Sequence, residues 1–445
     1  MLYWNPRGKA SFEIQDAAGL NLVTANVYDG LDRLTSTTLP EGNGVTTTYD
    51  GTTNPWANNV ASITRNAKPG SALSATVTSF AYDPLWNKPI SVTVALGRVS
   101  TASFDPATGN LLSTVADAGT GHFNAKSTFT YNGYGQVLTA TDPLATVTAF
   151  AYDTQGNLVS WTADSGRLNL TTGFGYDATG NLTTLTDPRG NMTAMTYDAN
   201  RRLITGTAPA PFNAGPLLAR TTNAYDADGH LTSVTRTNGA SDIVTSTAYT
   251  PTGKARSVTD PNGNQTTYAY DLNDRLSTVM QPASGAPRVT SFSYDALGRT
   301  TAVTNTAIQS GPLEQTAYTA NGQQASFTDA NGNVTGYVYD GFDRLAKTTY
   351  AQGTSLASSE SFTYDANDNT LSKTTRRGDV IAFSYDTLNR RTAMTPPAPT
   401  PTISYGYDLA GRLTGTSSNG PSITKAVPPS GGRRCSTPPR WPTTR

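Results

Sequence analysis

Residues 142–158 read DPLATVTAFAYDTQGNL, and this stretch contains the two turn signals from which the fold can be worked out. One signal begins at Asp142 and the other runs from Asp153 to Gly156. Aspartate at the start of a turn accepts backbone N–H bonds, and glycine three residues later tolerates the positive φ that closes the turn. Between the signals, large and small side chains alternate, which places both aromatic residues on one face of a strand. The stretch therefore predicts one strand between two tight turns.

The same pattern recurs along nearly the whole chain, at an average spacing of about 24 residues. Its clear copies are YDGLDRL from Tyr28, YDTQGNL from Tyr152, YDATGNL from Tyr176, YDADGHL from Tyr225, YDLNDRL from Tyr270, YDGFDRL from Tyr339 and YDLAGRL from Tyr407. Less regular copies start at Tyr49, Tyr82, Phe104, Tyr131, Tyr197, Tyr249, Tyr294, Tyr318, Tyr364 and Tyr385. These make seventeen units, and WNPRGKA from Trp4 reads as a worn eighteenth.

Each copy predicts a β-hairpin. The residues that flank the turn, such as Tyr152 and Leu158, are expected to face each other as a cross-strand pair. A second turn signal follows about eleven residues after the tyrosine, which leaves strands of about six or seven residues. We assign a structural role in the repeat to Tyr28, Asp29, Tyr152, Asp153, Gly156, Tyr176, Asp177, Gly180, Tyr225, Asp226, Gly229, Tyr270, Asp271, Tyr294, Asp295, Gly298, Tyr339, Asp340, Tyr407, Asp408 and Gly411.

The composition is poor in both apolar and charged residues. Hydrophobic residues make up 36% and charged residues 14% of the 445, with 32 basic and 32 acidic side chains. A nucleic-acid partner is not expected, because no net positive charge is present to displace phosphate counterions. No apolar run suggests a leader peptide or a membrane span. The single cysteine, Cys435, excludes an internal disulfide framework and a cysteine-based zinc site.

The Tyr-Asp hairpins, together with turns such as DPNGN at Asp260, resemble the YD repeats of the bacterial rearrangement hotspot (Rhs) family. Similar repeats occur in the C components of insecticidal toxin complexes and in animal teneurins. The resemblance covers roughly residues 4–415. It implies an all-β fold, in which antiparallel hairpins wind into a curved, spiralling sheet that forms part or all of a hollow β-shell.

In function, the resemblance implies a non-enzymatic scaffold that is secreted or exposed at the cell surface. Its implied partner is an encapsulated C-terminal toxin domain or a neighbouring shell segment that lies outside this chain. The core segment that ends the shell in toxin-bearing members, rich in Asp-Pro-x-Gly-Leu-x-Gly-Gly, is not found here. Self-cleavage and toxic activity are therefore not expected of this chain.

Two regions are predicted: residues 1–420 as the repeat array, and residues 421–445 as a Pro/Arg-rich, disordered tail. The array begins without a capping module and its pattern decays after Leu413. Because repeat arrays need polar caps at their ends, we expect the chain to be a fragment of a longer protein.

Catalysis and cofactor binding have little support, and no catalytic, cofactor or metal residue is predicted. The chain has only two histidines, and His230 occupies the same turn slot as Arg33 or Arg299 in other copies. His122 has no motif around it, and no nucleophile elbow, phosphate loop or zinc helix is present. The aspartates recur at one turn position, which favours scaffolding over paired acids. The loops at Asp260 and Asp329 also lack the glycine and glutamate of a calcium loop.

Arginine recurs just after the turns, and two readings of this stripe stay open. The positions are Arg33, Arg275, Arg299, Arg344, Arg390 and Arg412. Together with tyrosines, such a stripe could bind acidic glycans, which makes an extracellular carbohydrate-binding or adhesion module the alternative function. Otherwise, each arginine covers a neighbouring aromatic ring or pairs with a turn aspartate. The structural reading is favoured.

Overall fold

Within the residues that it describes, the computed structural model of the chain contains thirty-six antiparallel β-strands in one sheet. It describes residues 1–16, 19–51, 58–208, 219–237, 241–305 and 307–418. No helix occurs in these ranges, and each strand pairs with the next strand along the chain, as in an uninterrupted meander. The all-β fold expected from the repeats is confirmed. The Pro/Arg-rich tail lies outside the described residues.

The first half of the sheet is made of β1 (Leu2–Trp4), β2 (Ala10–Gln15), β3 (Leu22–Tyr28), β4 (Leu34–Thr38), β5 (Gly44–Tyr49), β6 (Val60–Asn66), β7 (Thr76–Tyr82), β8 (Pro89–Thr93), β9 (Val99–Phe104), β10 (Leu111–Ala116), β11 (Ala125–Tyr131), β12 (Val137–Thr141), β13 (Val147–Tyr152), β14 (Leu158–Ala163), β15 (Leu170–Tyr176), β16 (Leu182–Thr186), β17 (Met192–Tyr197) and β18 (Leu203–Ala208).

The second half is made of β19 (Ala219–Tyr225), β20 (Leu231–Thr237), β21 (Asp242–Tyr249), β22 (Ala255–Thr259), β23 (Gln265–Tyr270), β24 (Leu276–Gln281), β25 (Arg288–Tyr294), β26 (Thr300–Asn305), β27 (Pro312–Tyr318), β28 (Gln324–Thr328), β29 (Val334–Tyr339), β30 (Leu345–Tyr350), β31 (Ser358–Tyr364), β32 (Thr370–Thr374), β33 (Val380–Tyr385), β34 (Arg391–Thr395), β35 (Ile403–Tyr407) and β36 (Leu413–Ser418).

Two kinds of turn alternate along the meander and lie at opposite ends of the strands. The Tyr-Asp turns join each odd-numbered strand to the next even one, and we call this side of the sheet the YD edge. The second turns join even to odd strands and form the second-turn edge. Tyr152 pairs with Leu158, as the spacing predicts, and a register shift beside Tyr152 marks a β-bulge. The worn copy at Trp4 also forms a hairpin, between β1 and β2.

The repeat tyrosines link neighbouring hairpins through their hydroxyl groups. In fourteen units, the tyrosine hydroxyl donates a hydrogen bond to a backbone carbonyl in the preceding hairpin, usually at the residue that starts its even-numbered strand. Tyr176 reaches the carbonyl of Leu158 at 3.0 Å, and Tyr294 reaches that of Leu276 at 2.7 Å. These carbonyls adjoin the bulges, where the ladder is interrupted, so the hydroxyls supply partners to the backbone there.

The sheet is a single layer with almost no solid core. Among the described residues, Leu22 and Ala125 are the buried hydrophobic residues, and no hydrophobic side chain is fully buried. In β7, Phe80 and Tyr82 on one face are half-buried, whereas Ala81 on the other is exposed. On the lighter face, hydroxyl groups instead pair across neighbouring strands: Thr130 with Thr139, Thr162 with Thr171, and Thr196 with Thr205. A wall of this kind needs little apolar material, which accounts for the low hydrophobic content.

Candidate functional site: the contact between two turns of the sheet

The curved sheet returns to contact itself, and this inter-turn contact is where residues far apart in sequence meet. The YD turn after β27 (319–323) contacts the second turn after β4 (39–43). The YD turn after β29 (340–344) likewise contacts the second turn after β6, and the turn after β33 contacts that after β10. In each pair, twenty-three strands separate the partners. The sheet is therefore a spiral with about twenty-three strands per turn, and its YD edge stacks on its second-turn edge.

A compact ionic cluster joins the first two of these contacts. The Nζ of Lys68 is 2.7 Å from Oδ1 of Asp343 and also pairs with Glu41. Asn43 and Asn321 donate to Oδ2 of Asp343 at 2.7 Å and 2.9 Å. The side chains of Asp343 and Lys68 are only 13% and 19% exposed, so solvent screens the pair weakly.

The charges of the cluster support each other. Burial raises the pKa of Asp343, but its bonds with Lys68, Asn43 and Asn321 outweigh burial and hold the pKa below its ordinary value. For Lys68, burial lowers the pKa, but the bonds to Asp343 and Glu41 outweigh burial, so the net pKa is raised. Both groups therefore stay ionised around neutral pH.

The two turns approach each other closely at Gly341. Its carbonyl accepts a hydrogen bond from the backbone N–H of Lys68 at 2.9 Å. A Cβ atom added at Gly341 would lie 2.7 Å from Cβ of Ser71 and 2.9 Å from Cβ of Ala67. Any residue other than glycine would thus force the two turns apart. Next to it, Arg65 lies 4.8 Å from the ring centroid of Phe342.

A buried aspartate organises the other end of the contact. The side chain of Asp117 is inaccessible to solvent, and its Oδ1 lies 2.6 Å from Nδ1 of His122. Its Oδ2 accepts from the N–H of Phe123 at 3.0 Å and from the hydroxyl of Thr387, which comes from the other turn of the spiral. Burial raises the pKa of Asp117, but these bonds outweigh it and lower the pKa overall.

The sequence did not reveal His122 as a member of any group. Its partner Asp117 is only five residues away. Thr387, whose hydroxyl group binds Asp117 from the other turn of the spiral, is 270 residues from Asp117 in sequence. No local motif reports a contact of this range. In the structure, His122 belongs to the inter-turn contact through its hydrogen bond with Asp117.

A cavity of about 500 Å³ opens beside Gly341, and its lining includes Lys68, Leu73, Arg344 and Tyr364. Its charged groups are already engaged: Lys68 in the ionic cluster, and Arg344 through its Nε to Oδ2 of Asp340 at 2.7 Å. The cavity is therefore a gap between two packed turns rather than a site with free polar groups for a ligand.

The repeat aspartates lie at the first position of their turns. Oδ1 of Asp177 accepts the N–H groups of Thr179 and Asn181, both at 2.9 Å. The Asn181 side chain also donates to Asp177, and this bond is the largest cause of its strongly lowered pKa. The turns at Asp260 and Asp329 accept N–H bonds in the same way, which favours a turn over a calcium loop.

The arginine stripe is engaged within the sheet. Arg299 donates through Nε to Oδ2 of Asp295 at 2.7 Å, and its guanidinium lies 4.3 Å from the ring centroid of Tyr318 in the next copy. We call this arrangement the arginine clamp. It recurs at Arg33, Arg202, Arg275, Arg344 and Arg390. These groups bridge successive hairpins, which favours the structural reading of the stripe over glycan binding.

His230 takes the place of the clamp arginine in its unit. Its Nδ1 lies 3.1 Å from Oδ2 of Asp226, and its ring stacks on Tyr249 with 4.7 Å between centroids. With Asp228, these groups bring three ligand-capable atoms within 4.8 Å of one another. The contacts of His230 with Asp226 and Tyr249 correspond to those of the arginine clamp, which favours a structural role for these residues over metal binding.

The part of the chain that the structure describes has no helix of the length and hydrophobicity needed to cross a membrane. Five segments match the family model described as RHS Repeat: residues 131–168, 176–210, 249–287, 318–355 and 364–401. No curated protein matches the sequence.

Solved structures share the architecture. The Photorhabdus luminescens Tc holotoxin pore aligns over 94% of this chain with a TM-score of 0.59 and 15% identity. The crystal structure of TcdB2-TccC3-Cdc42 aligns over 93% with a TM-score of 0.55 and 16% identity. A structure of TcdB2-TccC3 without the hypervariable C-terminal region aligns over 93% with a TM-score of 0.53 and 15% identity. The chain spans about a quarter of the length of these solved chains, at 23%, 26% and 24%.

Proposed function

Because five segments of the chain match the RHS Repeat model and its sheet has the fold of these TccC3-containing structures, we propose that it is a wall segment of a hollow shell that encloses a partner domain. The inter-turn contact carries this proposal. A meander without such a contact would remain an open ribbon, whereas successive turns of the spiral that stack edge to edge make a continuous wall. The enclosed partner is a toxin domain or another shell segment that lies outside this chain.

Two physical features support an enclosing role. The wall is one sheet thick, and stacking of the YD edge on the second-turn edge closes the gap between successive turns. Neighbouring strands are held together by backbone hydrogen bonds. Successive turns of the spiral are held together mainly by side chains such as Lys68, Asp343 and Asp117. Such a wall can exclude proteases and solvent while it contributes no reactive group of its own.

The role is non-enzymatic, and the protein acts outside the cell that makes it. The non-enzymatic role rests on the side chains described above, because aspartates, arginines and both histidines are engaged in turns, clamps or the inter-turn contact. The extracellular location rests on the repeat family and the toxin-complex fold. The alternative function as a glycan-binding module has no comparable support, because the clamp guanidinium groups are already paired.

The close approach at Gly341 provides the test. Gly341→Ala places a methyl group against Ala67 and Ser71, whereas Gly30→Ala, in the matching motif YDGLDRL, meets nothing within 4 Å. We expect Gly341→Ala to open the wall and Gly30→Ala to leave it closed. The readout is protease protection of a small globular reporter domain joined to the C-terminus of this chain.

The proposal predicts that the joined domain is protected in the wild-type and Gly30→Ala proteins and is digested in Gly341→Ala. Electron microscopy of the same samples should show a hollow particle. A solid particle, or a joined domain that is digested equally in all three proteins, would contradict the enclosing role.

A further inference from the structure

An asparagine followed by a glycine occupies the same two positions in three tight turns. These dipeptides are Asn321-Gly322 in the turn after β27, Asn262-Gly263 in the turn after β22, and Asn331-Gly332 in the turn after β28. In each turn, the glycine has a φ between 80° and 91°, and its N–H donates to the carbonyl of the first turn residue at 3.0 Å. The three dipeptides therefore share one backbone geometry.

The surroundings of the three asparagines differ. Asn262 and Asn331 are exposed at turn tips, and no side-chain hydrogen bond joins either to another described residue. The amide of Asn321 lies within the inter-turn contact, where its Nδ2 donates to Oδ1 of Asn43 at 2.6 Å and to Oδ2 of Asp343 at 2.9 Å. Its Oδ1 accepts a backbone N–H from the facing turn at 3.0 Å. Of the three, Asn321 is the one held by partners from another turn of the spiral.

An asparagine before a glycine is prone to spontaneous deamidation, because no side chain keeps the glycine nitrogen away from the asparagine amide. At this site, the nitrogen of Gly322 loses its proton and attacks Cγ of Asn321. A C–N bond forms in a five-membered ring, the bond from Cγ to the amide nitrogen breaks, and ammonia leaves. Water then opens the ring at either carbonyl and leaves aspartate or isoaspartate. The net reaction exchanges an amide for a carboxylate and involves no oxidation or reduction.

A carboxylate at position 321 would meet acidic neighbours. The amide nitrogen of Asn321 is 2.9 Å from Oδ2 of Asp343, so an anionic oxygen in its place replaces a hydrogen bond with a repulsion. Lys68 already pairs with both Asp343 and Glu41, so the cluster holds two carboxylates against one ammonium group before any deamidation. Isoaspartate disturbs the turn further, because it adds a carbon atom to the backbone.

The facing turn contributes a second dipeptide of this kind, Asn43-Gly44. Asn43 is only 6% exposed, and its Nδ2 donates to Oδ2 of Asp343 at 2.7 Å. Both asparagine amides that donate to Asp343 thus precede a glycine. Deamidation of either one removes a donor from the same buried carboxylate.

We propose that Asn321 is a modification site at which deamidation is controlled by the inter-turn contact. While the contact is closed, its hydrogen bonds hold the amide and slow the reaction. When the contact opens, the amide becomes as reactive as those of Asn262 and Asn331, and the carboxylate that forms prevents the contact from closing again. Deamidation thereby makes the opening irreversible. The inference rests on the inter-turn contact and not on the enclosing role.

Peptide mass mapping of the full chain during incubation in mildly alkaline buffer tests the proposal. Digestion at acidic pH avoids further deamidation before the measurement. In the wild-type protein, we expect Asn321 to convert at least about tenfold more slowly than Asn262 and Asn331, because the contact must open before the amide can react. Equal rates at the three sites would overturn the proposal.

Gly341→Ala should remove the protection, because the added methyl group separates the turns. The rate at Asn321 should rise to near that of Asn262, and the rate at Asn262 itself should not change. Gly30→Ala, which meets nothing within 4 Å, is the control and should leave both rates at their wild-type values. If Asn321 stays slow in Gly341→Ala while hydrogen exchange shows that the contact is open, the contact does not control the reaction and the proposal fails.

Asn321→Asp tests the consequence of the reaction, with Asn262→Asp as the matched control. Asn321→Asp should speed hydrogen exchange in β4 to β11 and in β27 to β34, whereas Asn262→Asp should leave it unchanged. The double variant Asn321→Asp/Asp343→Asn keeps the number of carboxylates and should recover part of the protection. Unchanged exchange in Asn321→Asp, or an effect that the double variant does not reduce, would show that the new charge does not hold the contact open and would overturn the proposal.

Discussion

At many of the turns, one aspartate side chain accepts several backbone N–H bonds, and the ionisation of these aspartates determines how the protein responds to acid. The carboxylates of Asp153, Asp177, Asp187, Asp260 and Asp329 all have lowered pKa values, caused first by a bond from an asparagine side chain four residues later. A carboxyl whose folded-state pKa lies below its unfolded value stabilises the fold above the unfolded pKa of about 3.9. That stability is lost as the pH falls through the lower, folded pKa.

We therefore expect the melting temperature to be nearly constant from pH 8 to about pH 5 and to fall only below about pH 4. Thermal melts followed by circular dichroism measure this directly. In Asp177→Asn, the amide oxygen keeps the N–H bonds of Thr179 and Asn181, as Asn132 already does in its own turn. The variant should still fold, and the contribution of this turn to the fall in melting temperature at low pH should be lost. A loss of stability centred near pH 6.5, where histidine ordinarily titrates, would contradict the assignment to the aspartates.

In fourteen units, the hydroxyl group of the repeat tyrosine links one hairpin to the preceding one. Tyr294→Phe removes the donor to the carbonyl of Leu276, which is bonded at 2.7 Å. The carbonyl is left without this partner, so we expect a loss of about 1 kcal/mol in local stability. Hydrogen exchange of the amides in β24 and β25 measures the loss. Tyr134→Phe is the control, because Tyr134 is 93% exposed at a turn tip, and it should change nothing.

At the scale of the hairpin, the arginine clamp couples one repeat to the next. Arg299→Ala removes two bonds to Asp295 and the contact with Tyr318. The pair is about one-fifth exposed, so screening is incomplete, and we expect a loss of about 1–2 kcal/mol. Urea unfolding should show a lower midpoint for the segment that contains β25 to β28.

Arg256→Ala, at an exposed position within β22, serves as the control for Arg299→Ala and should leave the midpoint unchanged. Because lysine cannot form the two-pronged bond, Arg299→Lys should recover only part of the loss. Equal midpoints for Arg299→Ala and the wild-type protein would show that the clamp does not couple the repeats.

The hairpins could be predicted from the sequence because their determinants are local. Turn position, strand length and the pairing of Tyr152 with Leu158 all depend on residues within one copy. The two readings of the arginine stripe could not be separated in the same way. The distance between Arg299 and Tyr318 depends on how neighbouring copies stack. The bulge beside each tyrosine also left no mark in the alternation, because it shifts the register without changing the residue types.

At the scale of the whole molecule, the contact between turns could not be read from the sequence. Its position depends on small twists that accumulate over twenty-three strands, and no residue encodes that sum. Asp274 and Asp343 illustrate the limit, because they share a motif and a φ of 63°, but only Asp343 lies against another turn. The sequence therefore predicted a curved sheet, whereas the residues that join its turns had to come from the structure.

The contact also makes some strands of the spiral more stable against local opening than others. In a repeat array, each unit is stabilised mainly by its neighbours, so opening is local. Strands β4 to β11 and β27 to β34 gain a further partner across the contact. Their amides should exchange more slowly than those of β14 to β18, although all three segments have the same hairpin chemistry.

Gly341→Ala should abolish that difference, because the added methyl group separates the turns at Ala67 and Ser71. Hydrogen exchange should then speed up in both protected segments together, although Asn43 and Asp343 are 300 residues apart in sequence. Gly30→Ala has the same local motif but open space around its Cβ, so its exchange pattern should match that of the wild type. If only β29 and β30 lose protection in Gly341→Ala, the effect is confined to one hairpin and the two turns are not energetically coupled. Joint loss in both segments would instead identify the contact as the element that converts a ribbon of independent hairpins into a wall.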